Sequence, residues 1–297
     1  MAISKRSSSN RNKKSLSHGR PPTAKKSTPS LSAKSTRGII RTHHQLHKRL
    51  AQAKKDGDGS KIYELEEQIQ ANGGLKLYQQ ASITGQSSSR GGDSSKQLMN
   101  WLQIGGISSD SVREKLRMLE IGALSPNNAC STSGIFEITR IDLKSQHSDV
   151  EEQDFMQRPL PTDEADKFDI LSLSLVLNYV ADAAARGEML RRTCAFLKSS
   201  TTDSPEISPQ KTTDALFPSL FLVLPKPCVN NSRYMTENHL EVMMATLGFS
   251  KAKHKLSAKL YYSLWTYDSK EAEETRRFPK MELNPGKNRN NFCVLFR

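Results

Sequence analysis

Residues 119–143 read LEIGALSPNNACSTSGIFEITRIDL, where one apolar run ends on Gly122 and the next ends on Asp142. A glycine at the end of the first strand of a doubly wound sheet lets the backbone approach a ligand. A carboxylate about 20 residues further on, after the second strand, accepts hydrogen bonds from ribose hydroxyls. The pattern therefore predicts a nucleoside site between these strand ends. An ordinary strand end followed by a turn acid remains the alternative on these two residues alone.

The same stretch lacks the glycine-rich loops that bind phosphates. GALSPN at 122–127 holds one glycine instead of GxGxxG, and GxxxxGK[ST] does not occur in the chain. A nucleoside cofactor without phosphates is therefore favoured over NAD or ATP, and S-adenosylmethionine is the common one.

Short apolar runs alternate with helical patterns after about residue 116. The stretches 168–180 and 216–225 predict buried strands, and RRTCAFLK is part of an amphipathic helix. KLYYSLWTY (259–267) and FCVLFR (292–297) are expected to close the sheet as an antiparallel pair. We predict an α/β fold, with a mostly parallel twisted sheet and helices on both faces.

Positive charge is concentrated at the start of the chain. Residues 1–55 contain 15 Lys and Arg and no Asp or Glu, against a formal net charge of +13 for all 297 residues. Residues 1–36 are rich in serine and too poor in apolar residues to fold alone, so we predict a disordered basic arm. Such an arm binds nucleic acid or directs nuclear import, and a solubilising tail is the alternative.

Residues 37–103 are predicted to form a helical segment. Apolar residues recur at three- and four-residue spacings in 38–55 and 61–74, and a pair of glycines ends the second helix. Ser94 or Ser95 is expected to cap a further helix.

Metal and membrane functions are not expected. His43, His44 and His47 lack acidic or sulfur partners nearby, so we interpret them as solvated or RNA-facing instead of as zinc ligands. The four cysteines form no CxxC pair, which argues against a zinc ribbon or a disulfide framework and favours a reducing compartment. We find no secretory signal and no apolar run of the roughly 18–20 residues that span a bilayer.

Two later stretches also suit a nucleoside. QDFMQRPLP (153–161) places Asp154 and Phe155 after the second strand, which offers adenine an acceptor for its amine and an apolar wall for its ring. FDILSLSLVLNYV (168–180) places Ser172, Ser174 and Asn178 at the end of a strand, where a methyl donor and its target would meet.

Six stretches together resemble the fungal nucleolar 25S rRNA adenine-N(1) methyltransferase family, whose animal relative is an S-adenosylmethionine sensor of TOR signalling. The resemblance covers roughly residues 77–297 and is carried by YQQASITGQSSSRGGDSSKQLMNWL, LEIGALSPNNACS, ITRIDLKSQHSDVEEQDFMQRPLP, FDILSLSLVLNYV, RRTCAFLK and LFLVLPKPCVNNSRYMTENHLEVMMATLGF.

The resemblance implies a class I (Rossmann-like) methyltransferase domain over 104–297, with S-adenosylmethionine as cofactor. It implies methylation of N1 of one adenine in large-subunit rRNA during ribosome biogenesis in the nucleolus. The partner would be the rRNA or a pre-ribosomal particle, and we expect a monomer. The cofactor-binding residues that it implies are Gly122, Asp142, Asp154, Phe155, Ser174 and, closing over the pocket, Arg90.

Adenine N1 attacks a methyl sulfonium through its own lone pair, so the chemistry asks for alignment more than for an acid or base. The catalytic residues are left unassigned, and the candidates for contact with the base are Asn178 and Tyr179, of which Tyr179 either stacks on the base or belongs to the core. Lys226 and Arg233 are candidates for contact with RNA. The chain has no N-P-P-[YF] motif, which disfavours N6 methylation.

Two other functions stay open. PKPC places Cys228 after a strand and a proline, as a cytosine-5 methyltransferase would place its nucleophile, although a small residue in a turn is the preferred interpretation. A non-catalytic S-adenosylmethionine sensor or ribosome-assembly factor would use the same pocket residues.

Overall fold

This computed structural model describes residues 32–86, 92–112, 114–145, 147–199, 216–273 and 276–297. The helices in these ranges are α1 (Ala33–Asp56), α2 (Gly59–Ala71), α3 (Gly74–Gln86), α4 (Ser95–Ile104), α5 (Ala183–Phe196), α6 (Pro227–Asn230) and α7 (Glu237–Ala245). The strands are β1 (Leu116–Ile121), β2 (Phe136–Asp142), β3 (Glu151–Glu152), β4 (Ile170–Ser174), β5 (Ser219–Pro225), β6 (Phe249–Leu256) and β7 (Leu260–Tyr267).

The strands in the described ranges form one sheet in the order β3-β2-β1-β4-β5-β7-β6. β1 to β5 are parallel, and β7 lies antiparallel between β5 and β6. The strand order reverses between β1 and β4, so the carboxyl ends of β1, β2 and β4 meet at the switch point where open α/β sheets bind ligands. This is the class I methyltransferase arrangement, and the predicted fold class is confirmed.

Alternation along the strands buries both faces of the sheet. Leu171 of β4 faces a core that includes Leu190 of α5, whereas its neighbour Ile170 faces a core that includes Trp101 of α4. The Trp101 ring lies edge-on to Phe221 of β5, with 6.2 Å between ring centroids. Because both faces are covered, the central strands read as continuous apolar runs.

The predicted pairing of 259–267 with 292–297 is wrong. β7 pairs instead with β5 and β6, and the C-terminal stretch contributes an isolated bridge between Phe278 and Phe296. Sequence analysis missed β6 because FSKAKHKL carries lysines at alternate positions and shows little apolar pattern. Lysines are common on edge strands, where they oppose pairing with another chain.

The N-terminal helices form a small core of their own around Leu46, Leu50 and Leu65. α1 begins at Ala33 and so includes four residues that sequence analysis assigned to the arm, while residues 1–31 lie outside the described ranges. None of the helices in the described part of the chain is both long and apolar enough to cross a bilayer.

The cap of α4 differs from the prediction. Ser94 makes no capping hydrogen bond with its side chain, and Ser95 already belongs to the helix. Asp93 serves instead, since its Oδ1 accepts from the backbone N–H of Ser95 at 2.8 Å.

The C-terminal segment packs along α5 at Gly187, where a Cβ would collide with the backbone carbonyl of Leu295. We expect Gly187→Ala to lower the free energy of unfolding by about 2–3 kcal/mol, because either the helix or the segment has to move. Gly38→Ala in α1 is the control, since nothing lies within 4 Å of its added Cβ; it should raise stability by about 0.5–1 kcal/mol. Thermal unfolding compares the two, and equal midpoints would contradict the close packing at Gly187.

Candidate functional site

A cavity of about 570 Å³ lies at the carboxyl ends of β1, β2 and β4, with α1 and α3 completing its wall. This volume lies within the range of about 300–1,000 Å³ that is typical of cofactor pockets. Residues from distant parts of the chain line it, and among them are five of the predicted cofactor-binding residues: Gly122, Asp142, Asp154, Phe155 and Ser174. Tyr179, a candidate for contact with the base, lines it as well.

Gly122 follows β1 in a left-handed conformation, with a φ of +77°. A Cβ here would lie 2.5 Å from Cγ2 of Val176, in the turn after β4. That turn also contains Leu175, whose φ of +59° is unusual for a residue other than glycine. Strained backbone of this kind is concentrated at functional sites, and it brings the ends of β1 and β4 close together here.

Asp142 ends β2 and is held by a side chain of α3 and by the backbone of its own loop. Its Oδ1 accepts from Nε2 of Gln79 on α3 at 3.1 Å and from the backbone N–H of Lys144 at 2.9 Å. Gln79 Nε2 also donates to the Lys144 carbonyl at 2.6 Å. Burial raises the pKa of Asp142 above its ordinary value, and these donors oppose that shift. Among the described residues Oδ2 accepts no hydrogen bond, so one carboxylate oxygen is left for a ligand.

Asp154 and Phe155 lie side by side in the wall. Oδ1 of Asp154 accepts from the backbone N–H of Met156 at 2.8 Å, which fixes the carboxylate. Phe155 is 3% exposed, and its ring packs on Phe196 of α5 with 5.2 Å between centroids. This position of the wall is therefore anchored in the core.

Ser174, the last residue of β4, joins the cavity to α4. Its Oγ lies 2.7 Å from Oγ of Ser94, one residue before that helix begins. The start of α4 therefore lies at the same edge of the sheet as the cavity.

Aromatic rings from α1 and α3 form part of the cavity wall. His44 stacks on Tyr179 and His43 stacks on Tyr78, each pair with 4.4 Å between ring centroids. The two tyrosine rings meet edge to face at 5.5 Å. Sequence analysis did not place Tyr78 or either histidine in the cavity, because the helices approach the strand ends only through tertiary packing.

Burial, with smaller contributions from neighbouring histidines and, for His44, from Arg186, lowers the pKa of His43 and of His44 to about 4. Both imidazoles are therefore neutral at neutral pH. His43 and His44 are half-buried in the cavity wall, so the interpretation of these two residues as solvated is wrong. That they face RNA stays a prediction. Within the described ranges, no group of three or more His, Cys, Asp or Glu side chains is arranged to hold a metal ion.

Three predicted residues lie elsewhere. Asn178 does not line the cavity, and its Oδ1 is buried without a hydrogen-bond partner in the described part of the chain. Arg233 donates to the carbonyl of Gly286 at 2.8 Å and to Oδ1 of Asn291 at 3.2 Å, so its guanidinium holds the C-terminal segment. Lys226 lies between β5 and α6.

Arg90, predicted to close over the pocket, lies outside the described residues. Its role stays a prediction.

Comparison with known proteins agrees with this geometry. Residues 63–294 match the family described as 25S rRNA (adenine(2142)-N(1))-methyltransferase, Bmt2. The chain belongs to the Bmt2 family. The resemblance predicted from the sequence is thereby confirmed, and with it the enzyme class of S-adenosylmethionine-dependent rRNA adenine-N(1) methyltransferases.

Two yeast proteins are similar over most of the chain. The 25S rRNA adenine-N(1) methyltransferase of Schizosaccharomyces pombe is 37% identical over 263 residues, which is 86% of this chain and 91% of that protein. The 25S rRNA (adenine(2142)-N(1))-methyltransferase of Saccharomyces cerevisiae is 37% identical over 256 residues, which is 84% of this chain and 69% of that protein. Among solved structures, the 16S rRNA methylase RmtB aligns with 80% of this chain and 92% of its own at 12% identity and a TM-score of 0.40, which is too weak to add to the assignment.

Cys228 is the residue that would supply a nucleophilic thiol if this member of the Bmt2 family used one. The residue is 8% exposed, and burial raises the pKa of its thiol to about 12, so it is protonated at neutral pH. We expect Cys228→Ala to keep methyl transfer to rRNA within about threefold of the native rate, because alignment alone carries the chemistry. Loss of all turnover in a folded variant, together with a covalent RNA adduct of the native protein, would instead indicate attack by the thiol.

Proposed function

We propose that this chain uses S-adenosylmethionine to methylate N1 of one adenine in large-subunit rRNA, acting as a monomer in the nucleolus. The observation that carries the proposal is the meeting of Gly122 and Asp142 in the wall of one cavity, in a member of the Bmt2 family.

The cavity residues fit the cofactor's chemistry. Gly122 lets the turn after β1 pass close to Val176, where a Cβ would collide, and its backbone would lie against the cofactor's methionine part. Oδ2 of Asp142, which accepts no hydrogen bond from the part of the chain that the structure describes, would accept hydrogen bonds from the ribose hydroxyls. Asp154 would accept from the adenine amine while Phe155 supports the ring, and Ser174 would line the region next to the target.

S-adenosylmethionine supplies a methyl group that is already activated by the positive charge of its sulfur. The residues around it need only hold the target so that the N1 lone pair points at that methyl group, since N1 has no proton to lose. The wall suits this task, because His43 and His44 are neutral and burial raises the pKa of both Tyr78 and Tyr179. No side chain in this wall has to remove a proton.

Tyr179 is the residue we assign to the target base. Tyr179 lies in the turn after β4 and lines the cavity, and the ring of His44 stacks on its ring. Aromatic side chains that stack on splayed-out bases are a common mode of single-stranded RNA recognition. Asn178 does not line the cavity, and its buried Oδ1 has no hydrogen-bond partner among the described residues, so its proposed role is to orient Tyr179.

The substrate is proposed to be rRNA within an assembling particle. The 15 cations of residues 1–55, with no acid among them, support attraction to RNA and import into the nucleus. A neutral body with a cationic arm favours a large polyanionic partner over a small-molecule acceptor.

Cofactor binding is tested at the carboxylate after β2. We expect Asp142→Ala to weaken binding of S-adenosylmethionine by about 10–100-fold, the loss that follows removal of hydrogen bonds to a charged group. Asp149→Ala is the control, because Asp149 follows β2 in the same loop and its side chain is 62% exposed. Isothermal titration calorimetry gives both constants. Equal affinities of the two variants would place the cofactor elsewhere.

The reaction is tested by primer extension along the large-subunit rRNA of cells that lack the protein. N1 methylation blocks Watson–Crick pairing and stops the polymerase, so we expect one stop to disappear and to return with the native gene but not with the Asp142→Ala gene. Purified protein and labelled cofactor should transfer methyl to rRNA from the deficient cells. A protein that binds S-adenosylmethionine tightly and yields no methylated RNA in either experiment would be a sensor or assembly factor.

A further inference from the structure

Four lysines lie together at the carboxyl edge of the sheet, beside the cavity. We propose that Lys96, Lys226, Lys255 and Lys259, hereafter the lysine rim, bind the phosphates of the single-stranded rRNA that flanks the target adenine. The inference rests on the proposed function and adds to it the path of the substrate strand, which leads away from the cavity across β5, β7 and β6.

Backbone contacts bring the four residues together. Pro225 at the end of β5 pairs with Leu260 at the start of β7, and the Lys226 N–H donates to the Lys259 carbonyl at 2.8 Å. Lys255 lies near the end of β6, just before the turn that leads to Lys259. The three strands therefore deliver three of the lysines to one edge.

The fourth lysine comes from the helix that begins at this edge. Lys255 Nζ donates to Oε1 of Gln97 at 2.7 Å, and Gln97 follows Lys96 in the first turn of α4. Lys96, Lys255 and Lys259 are exposed, and Lys226 is half-buried. The rim thus combines residues from the end of β5, from the hairpin between β6 and β7, and from the start of α4.

The rim is continuous with the cavity. The Ser94–Ser174 contact joins the start of α4 to the end of β4. Leu175 lines the cavity and packs in the same cluster as Leu260 and Tyr262 of β7. A strand lying on the rim would therefore present a nucleotide at the end of β4, where Tyr179 is placed to stack on it.

The charges of the rim are uncompensated. In the described part of the chain, none of its four lysines forms an ion pair. Lys251, on the same strand as Lys255, shows the contrast, since it pairs with Glu237 at 3.3 Å and also with Glu241. A lysine on the edge strand β6 is explained by its opposition to pairing with a strand of another chain. Lys96, Lys226 and Lys259 do not lie on the edge strand, so this explanation does not apply to them.

Phosphate is the ligand that this pattern fits. Lysines spread over several elements neutralise a backbone without reading its sequence, which is what flanking nucleotides require. Arg233, the other basic residue that sequence analysis proposed for RNA contact, is already engaged by the C-terminal segment. We therefore assign contact with RNA to the lysine rim, which includes Lys226, and not to Arg233.

The test compares two double charge reversals in the full-length protein. The first is Lys255→Glu with Lys259→Glu. The control is Lys115→Glu with Lys270→Glu, which makes the same charge change at exposed positions beside the opposite, amino edge of the sheet. Each protein is titrated with rRNA from methylation-deficient cells at several salt concentrations, and kcat, KM for RNA and Kd for S-adenosylmethionine are measured.

We expect the rim variant to raise KM for RNA at least tenfold with kcat and cofactor affinity unchanged. Its plot of log affinity against log salt should flatten by about 1.4, the effect of two lost phosphate contacts on a single strand. The control should match the native protein. Equal KM values and salt slopes in the two variants would overturn the proposal.

Two further measurements separate the possible failures. If the charge reversal unfolds the protein, the double variant Lys255→Gln with Lys259→Gln repeats the test. Each of the two single variants should show half of the decrease in salt slope that the double variant shows. Native protein that binds RNA with the expected salt slope but transfers no methyl would refute the proposed reaction and leave the rim supported.

Discussion

The parallel arrangement of β1, β2 and β4 is the constraint on which the site depends. Because both faces of the sheet are buried under helices, the open part of the domain is its edge, and three carboxyl ends converge there. Gly122, Asp142 and Ser174 each stand at one of those ends. The close approach of Gly122 to Val176 shows how little space the backbone leaves, so a bulkier residue would change the shape of the cavity itself.

The N-terminal helices complete what the sheet leaves open. Gln79 reaches from α3 to Asp142 across 63 positions of sequence, and two imidazoles of α1 and α3's Tyr78 form a wall that the sheet could not supply. The imidazoles of this wall are neutral, which has an electrostatic consequence. A protonated, cationic imidazolium would repel the positively charged sulfur of the cofactor, and strongly so in a site of low polarity. Because the pKa values of His43 and His44 are low, both rings are neutral and this repulsion is absent.

The sequence predicted what local pattern determines and missed what tertiary packing determines. Gly122 and Asp142 were found because strand ends and their spacing are written in adjacent residues. Gln79 gave no signal, because a polar residue in a helix acquires its role only when that helix docks on a strand end. β6 was missed for another reason: its lysines hid the strand pattern, and this led to the wrong partner for β7.

The position of the lysine rim suggests a division between the residues that attract RNA and those that select the base. Lysines at the edge of the sheet attract any phosphate, and this attraction weakens as the salt concentration rises. They therefore contribute to affinity for RNA without selecting a base. Selection of the base must then come from the cavity, which Tyr179 lines after the end of β4. Lys255 contacts Gln97 while Ser94 contacts Ser174, so a single helix start connects the two regions.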